Sequence, residues 1–151
     1  MKLFTLEETK NLSKKICKTI NRGDNLFLFG EIGTGKTTFA RYLINNFELN
    51  NKIKRSDILS PTFNIANEYK IKEITIIHYD LFRLKNENEI LQLDIFDDNK
   101  NVINVIEWPE IIKTRPKNRI EFFFKYTKKT KYRNIFIKGF GKWKKYKFNE
   151  I

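Results

Sequence analysis

The chain has 151 residues, a formal net charge of +12, 40% hydrophobic residues and 15% aromatic residues. That length suits one domain over residues 1–151 with a sizeable core, and the aromatic content excludes a disordered chain despite the charge. A single cysteine, Cys17, excludes an internal disulfide; the start "MKLFTLEETK" lacks a signal-like apolar stretch and no run approaches about 18 apolar residues, so a cytoplasmic protein is expected.

In chain order, "TLEETKNLSKKICKTINRG" reads as a helix. Thr5 and Glu8 have capping-box spacing, Leu12, Ile16 and Ile20 share a face on which Cys17 reads as packing, and Gly23 is the expected stop. "NLFLFG" is a short apolar run of the kind buried on both faces of a sheet, followed by a glycine-rich turn and the helical period of "TTFARYLINNF". "FNIANEYKI" and "EITIIHYD" read as strands, Glu87 to Leu93 as a polar helical piece, and "NVINVIE" as a strand. The residue before a proline is biased towards extended backbone, which predicts an extended Trp108 before Pro109. "RIEFFFKYT", "YRNIFIKGF" and "KWKKYKF" read as further strands, the first two meeting across "KKTK". The expected fold is α/β, with a partly parallel central sheet and an antiparallel, basic, β-rich C-terminal annex at about 118–148.

"GEIGTGKT" matches the P-loop pattern. Gly30, Gly33 and Gly35 let the backbone turn so that the N–H groups of Glu31, Ile32, Gly33, Thr34, Gly35, Lys36, Thr37 and Thr38 can face an anion at a helix start. Lys36 adds a cation for the β- and γ-phosphates, and the Thr37 hydroxyl is a ligand for Mg²⁺. Such a site needs carboxylates at neighbouring strand ends, and Asp80 and Glu107 each end a strand. Thr62 in "SPTF" occupies a polar loop where nucleotide switches keep a phosphate-sensing Thr. His78, the only histidine, reads as a packed or hydrogen-bonded strand residue rather than a base. No Asn-Lys-x-Asp sequence reads guanine, so ATP is favoured. Arg83 stands alone between Arg55 and Arg115, without the Arg-rich lid of a small-molecule kinase. A small kinase and a nucleotide-switched RNA-binding module remain the alternatives.

"GEIGTGKTT", "SPTF", "HYDLFRL" and "VIEWPE", in this order and spacing, resemble the TsaE family, the small bacterial ATPase of tRNA threonylcarbamoyladenosine synthesis, over about Phe29 to Pro109. The resemblance implies a three-layer P-loop NTPase-like fold and a catalytic set of Lys36, Asp80 and Glu107. It also implies metal ligands among Thr37, Asp80 and Glu107, and switch or partner-facing roles for Thr62, Arg83 and Trp108. ATP and Mg²⁺ are the implied cofactors. The implied partners are the two other proteins of the transferase assembly, which modifies the adenosine beside the anticodon in tRNAs reading codons that begin with A. The family often has a glycine where this chain has Asp94, so a different turn is expected there.

The charge excess is local: ten Lys or Arg and no acid lie between Lys125 and Lys147, against 20 basic and 18 acidic residues elsewhere. Interleaved with Tyr, Phe and Trp, this stretch reads first as a hairpin with lysines out and aromatics in, and alternatively as a contact for tRNA or for an acidic partner surface.

Overall fold

A computed structural model describes residues 2–97, 101–127 and 132–148. The capping box closes at the start of α1 (Leu6–Thr19): the Thr5 hydroxyl accepts the Glu8 N–H at 3.1 Å, and the Glu8 carboxylate accepts the Thr5 N–H at 2.8 Å. The helix stops before Gly23, because Ile20 turns to extended backbone and buries its side chain. Cys17 is buried within it, and burial pushes its thiol up to about 12, as expected of a packing residue. The apolar run becomes β2 (Asn25–Phe29), buried throughout and leading into α2 (Lys36–Asn50).

β2 is fully buried because parallel strands flank it on both sides, β5 (Ile103–Glu107) and β6 (Arg119–Tyr126). The seven-stranded sheet runs β1-β7-β6-β2-β5-β4-β3. Its parallel centre, β6-β2-β5-β4, has antiparallel margins on both sides. One margin is the hairpin of β3 (Ala66–Ile71) and β4 (Ile74–Asp80); the other is β7 (Arg133–Phe140) with β1 (Lys2–Phe4). The antiparallel part is therefore not confined to the C-terminal region. β1, three residues long, is too short to carry an alternation.

Side chains alternate between two faces. Leu26, Leu28, Val105, Phe122 and Ile135 meet α1 and α2, whereas Phe27, Ile106 and Tyr79 meet Ile90 of α3 (Glu87–Gln92) and its flanking turns. Asp94 in those turns holds φ at 49°, the left-handed conformation that suits a glycine and that Asp tolerates better than most residues. The turn expected to change is thus compatible with the acidic residue.

"KWKKYKF" is not a strand. Its beginning joins a 3₁₀ turn (Gly141–Trp143), with Gly141 at φ 62°. The bare Cα of Gly139 lets the Trp143 backbone fold back against β7. Trp143 and Phe148 are buried and turn inward, while Tyr146 stays partly exposed, its ring against both and its hydroxyl 3.2 Å from that of Thr19. The junction expected at "KKTK", 128–131, lies outside the described residues.

Fully buried Asp24 anchors the turn. Its carboxylate accepts the Trp143 indole N–H at 3.1 Å, the Lys142 ammonium at 2.7 Å and the Asn21 backbone N–H at 2.8 Å. Asp24→Ala strands the buried Trp143 indole N–H and removes the acceptor of the Asn21 N–H, and is expected to cost about 2–4 kcal/mol in chemical denaturation. Lys142→Ala is expected to cost less than Asp24→Ala, because the lost ammonium is half exposed and Asp24 keeps the Trp143 and Asn21 N–H donors.

Candidate nucleotide and metal site

The site forms where the parallel strands end. Register pairs Asp80 with Glu107 and Leu28 with Glu107, so both acids leave the sheet on the α2 face, at the level of the loop after β2. In that loop Gly30 has φ 142°, and a side chain there would collide with the Phe124 carbonyl of β6. Gly35 caps α2 at φ 106°. Both positions require glycine, and together they bring the first turn of α2 over the ends of β5 and β4.

Glu107 is only 2% exposed, yet both carboxylate oxygens are engaged. Oε2 accepts the Thr37 hydroxyl at 2.9 Å, and Oε1 lies 2.8 Å from Nε2 of fully buried His78. Val105 pairs with His78 in register, which places the imidazole on the same face, one pleat below the acid. Asp80 is held separately: Oδ2 accepts the Thr62 hydroxyl at 2.7 Å and Oδ1 accepts the Phe82 N–H at 3.0 Å. Ser60, the first residue of "SPTF" and given no role there, adds a 3.4 Å contact to Asp80 and a 2.7 Å bond with Thr62.

The Lys36 ammonium donates to the Gly30 carbonyl at 2.6 Å and the Glu31 carbonyl at 2.9 Å, and sits 3.8 Å from the centre of the Trp108 ring. Burial pushes its pKa down; Glu107, Glu110 and Asp80 pull the other way. Trp108 departs from the extended geometry expected before Pro109, with φ 58° and ψ 52°. A bulky residue in that region costs on the order of 1–3 kcal/mol. Three contacts offset the strain: its N–H donates to the Leu28 carbonyl at 3.3 Å, Lys36 covers its face, and Phe82 packs at 4.8 Å between ring centroids.

These groups surround a cleft of about 320 Å³ lined by Gly33, Lys36, Thr37, Thr62, Asp80, Glu107 and Trp108 among others. Arg83 lies apart, its guanidinium 4.5 Å from the centre of exposed Phe63. Two residues from the C-terminal strands border the loop without any local sequence signal. The Tyr126 hydroxyl donates to the Ile32 carbonyl, and the Arg133 side chain abuts Gly35. Such contacts need the β2–β6–β7 pairing and are invisible to a motif search.

Among the described residues no group of three or more His, Cys, Asp or Glu could cage a metal. The cleft instead offers the carboxylates of Asp80 and Glu107 with the Thr37 hydroxyl bonded to Glu107, all hard oxygen donors and too few for a complete shell. That set fits Mg²⁺, which keeps waters and phosphate oxygens among its ligands. No described helix is long and apolar enough to cross a membrane.

The profile described as "Threonylcarbamoyl adenosine biosynthesis protein TsaE" matches residues 3–135. The tRNA threonylcarbamoyladenosine biosynthesis protein TsaE of Rickettsia felis is 42% identical over 107 residues, 71% of this chain and 60% of that protein, so less than two thirds of the relative is spanned. Its Bacillus subtilis counterpart is 32% identical over 120 residues, 79% of this chain and 72% of that protein. The crystal structure of Bacillus subtilis YdiB superposes with a TM-score of 0.69 at 23% identity, covering 99% of this chain and 93% of that one, which shows a shared fold. On the extent of the profile match and the identity to these relatives, the chain belongs to the TsaE family.

Proposed function

We propose that this chain is a Mg²⁺-dependent ATPase of tRNA threonylcarbamoyladenosine biosynthesis, acting as a component activated by the two other proteins of the transferase assembly. The observation that carries the proposal is the 2.9 Å bond from Thr37 to Glu107, which ties the first turn of a helix behind a glycine loop to a buried strand-end carboxylate. Backbone N–H groups over 31–38 would hold the β- and γ-phosphates, and Lys36 would exchange the Gly30 and Glu31 carbonyls for phosphate oxygens. Thr37, with Asp80 and Glu107, would hold Mg²⁺, which when bound neutralises phosphate charge. Glu107, hydrogen-bonded to His78, would orient the attacking water, so that catalysis would come from position and charge. Thr62 would report phosphate occupancy through Asp80. Phe82 and Trp108 line the cleft and Arg83 stands outside it, so these would form the surface that partners read. A cytoplasmic setting fits this role.

Phosphate release from Mg-ATP is expected to be slow for the protein alone and to rise when both partners are added. Full activity alone, unchanged by partners, contradicts the assembly role. Glu107→Gln keeps the shape and removes the charge, and is expected to slow release by at least about 10²-fold while ATP still binds. Lys36→Ala is expected to weaken ATP binding by about tenfold or more, measured by calorimetry.

Tryptophan emission gives an independent reading, because the chain has two tryptophans and only Trp108 lines the cleft. If phosphates draw Lys36 from the Trp108 ring, ATP changes the emission of wild type and Trp143→Phe and leaves Trp108→Phe unchanged. An equal response from Trp108→Phe contradicts the proposed movement of Lys36.

A further inference from the structure

The sheet face opposite α1 and α2 is only partly covered. α3 and its flanking turns pack over β4, β5 and β2, whereas on β6 and β7 Phe136 is 42% exposed, Phe123 is half-buried, and Lys125 and Lys138 are exposed. The aromatics form a row across three strands. Phe29 pairs in register with Phe123, and Phe123 with Phe136; the rings of Phe29 and Phe123 stack at 4.8 Å and 10°, and Phe136 follows at 6.0 Å.

The exposed charges that flank the ring row on β6 and β7 are both lysines, while the acids of this face, Glu31, Glu110 and Glu121, lie beside the row. Lys125 lies on β6 to one side of the ring row and Lys138 on β7 to the other, about 13 Å apart along the strand direction. The acid opposite Lys138 in register, Glu121, is buried and already engaged by Arg119 at 2.8 Å and Arg115 at 3.3 Å, so it offers little repulsion to an anion. Beside the row runs a largely apolar cleft of about 530 Å³ that includes Phe29, Phe123, Lys125 and Glu110.

We propose that this β6–β7 face binds single-stranded RNA, with Phe123 and Phe136 as stacking rings and Lys125 and Lys138 as phosphate contacts. Charge complementarity selects that occupant over a protein. The centres of protein interfaces are depleted of lysine, whereas aromatic rings flanked by lysines on a sheet are how single strands are held. A base leaving the row can enter the neighbouring cleft, where Glu110 is available to accept from an exocyclic amine. The proposal also moves the RNA contact alternatively read in the C-terminal region: Trp143 and Phe148 are buried, Tyr146 is held by both rings and by Thr19, and Lys142 is bound to Asp24, so the ring row lies on β6 and β7 instead of along 142–148. It takes only the preference for RNA over DNA from family membership and stands apart from the ATPase proposal.

The test is fluorescence anisotropy of a short, unstructured, labelled RNA titrated with the full chain across a salt series. Wild type is expected to bind, and Phe136→Ala to bind about tenfold more weakly. Lys125→Glu and Lys138→Glu are each expected to bind more weakly and to flatten the slope of log affinity against log salt by about 0.7. Phe136 is already partly exposed and the lysines are on the surface, so thermal melts should match wild type. ATP turnover of Phe136→Ala and Lys138→Glu, which line neither the glycine loop nor the cleft beside it, is expected to be unchanged, which separates this surface from the ATPase proposal: a loss of turnover in Glu107→Gln bears only on the latter. The proposal is overturned if wild type does not bind at low salt. It is equally overturned if only Lys144→Glu and Lys145→Glu abolish binding, or if Phe136→Ala loses a partner protein while RNA affinity stays at wild type.

Discussion

A carboxylate with almost no access to water organises the cleft at the ends of the parallel strands. Isolated, a buried Glu107 would carry a desolvation penalty of several kcal/mol. The bonds from Thr37 and His78 offset it, and each comes from a different element. The acid therefore holds its position only while α2, β4 and β5 keep their register. The fold and the site share that constraint, because a one-residue slip of β4 against β5 would turn His78 and Asp80 to the other face.

Around that anchor the neighbouring groups are held in restrained positions. Lys36 is bonded to carbonyls of its own loop and lies over the Trp108 ring, in a place where burial disfavours its charge. Trp108 carries a left-handed backbone that its hydrogen bond to Leu28 and its ring contacts sustain. If phosphates compete for Lys36, one of those supports weakens, and the chain segment ending in Pro109 can respond. This supplies a physical route from phosphate binding to the Phe82–Trp108 surface at the rim of the cleft.

The parts of the fold that were legible in the sequence are those written in local pattern. "NLFLFG" with the glycine loop and "TTFARYLINNF" contains strand, turn and helix in contiguous residues, and Thr5 with Glu8 marks the first helix by spacing alone. Asp80 and Glu107 stood out as candidates because each ends an apolar run. What escaped depends on distant partners. β1 exists through β7; Tyr126 and Arg133 reach the glycine loop only after β6 and β7 join the sheet; and the contact of His78 with Glu107 follows from cross-strand register. The pre-proline preference at Trp108 was overridden by contacts with Leu28, Lys36 and Phe82, and the apparent strand "KWKKYKF" by the fold-back at Gly139 and the hydrogen bonds of Asp24.

The claim that Glu107 and Thr37 join a strand end and a helix start into one metal–phosphate site is tested most directly by replacing Mg²⁺ with Mn²⁺ and recording its electron paramagnetic resonance with ATP. Wild type is expected to show bound Mn²⁺ coupled to phosphate phosphorus. Thr37→Val, which keeps the shape and removes the hydroxyl, is expected to weaken Mn²⁺ binding by about tenfold or more while ATP binding without metal stays near wild type. Unchanged Mn²⁺ affinity and phosphorus coupling in Thr37→Val would contradict it.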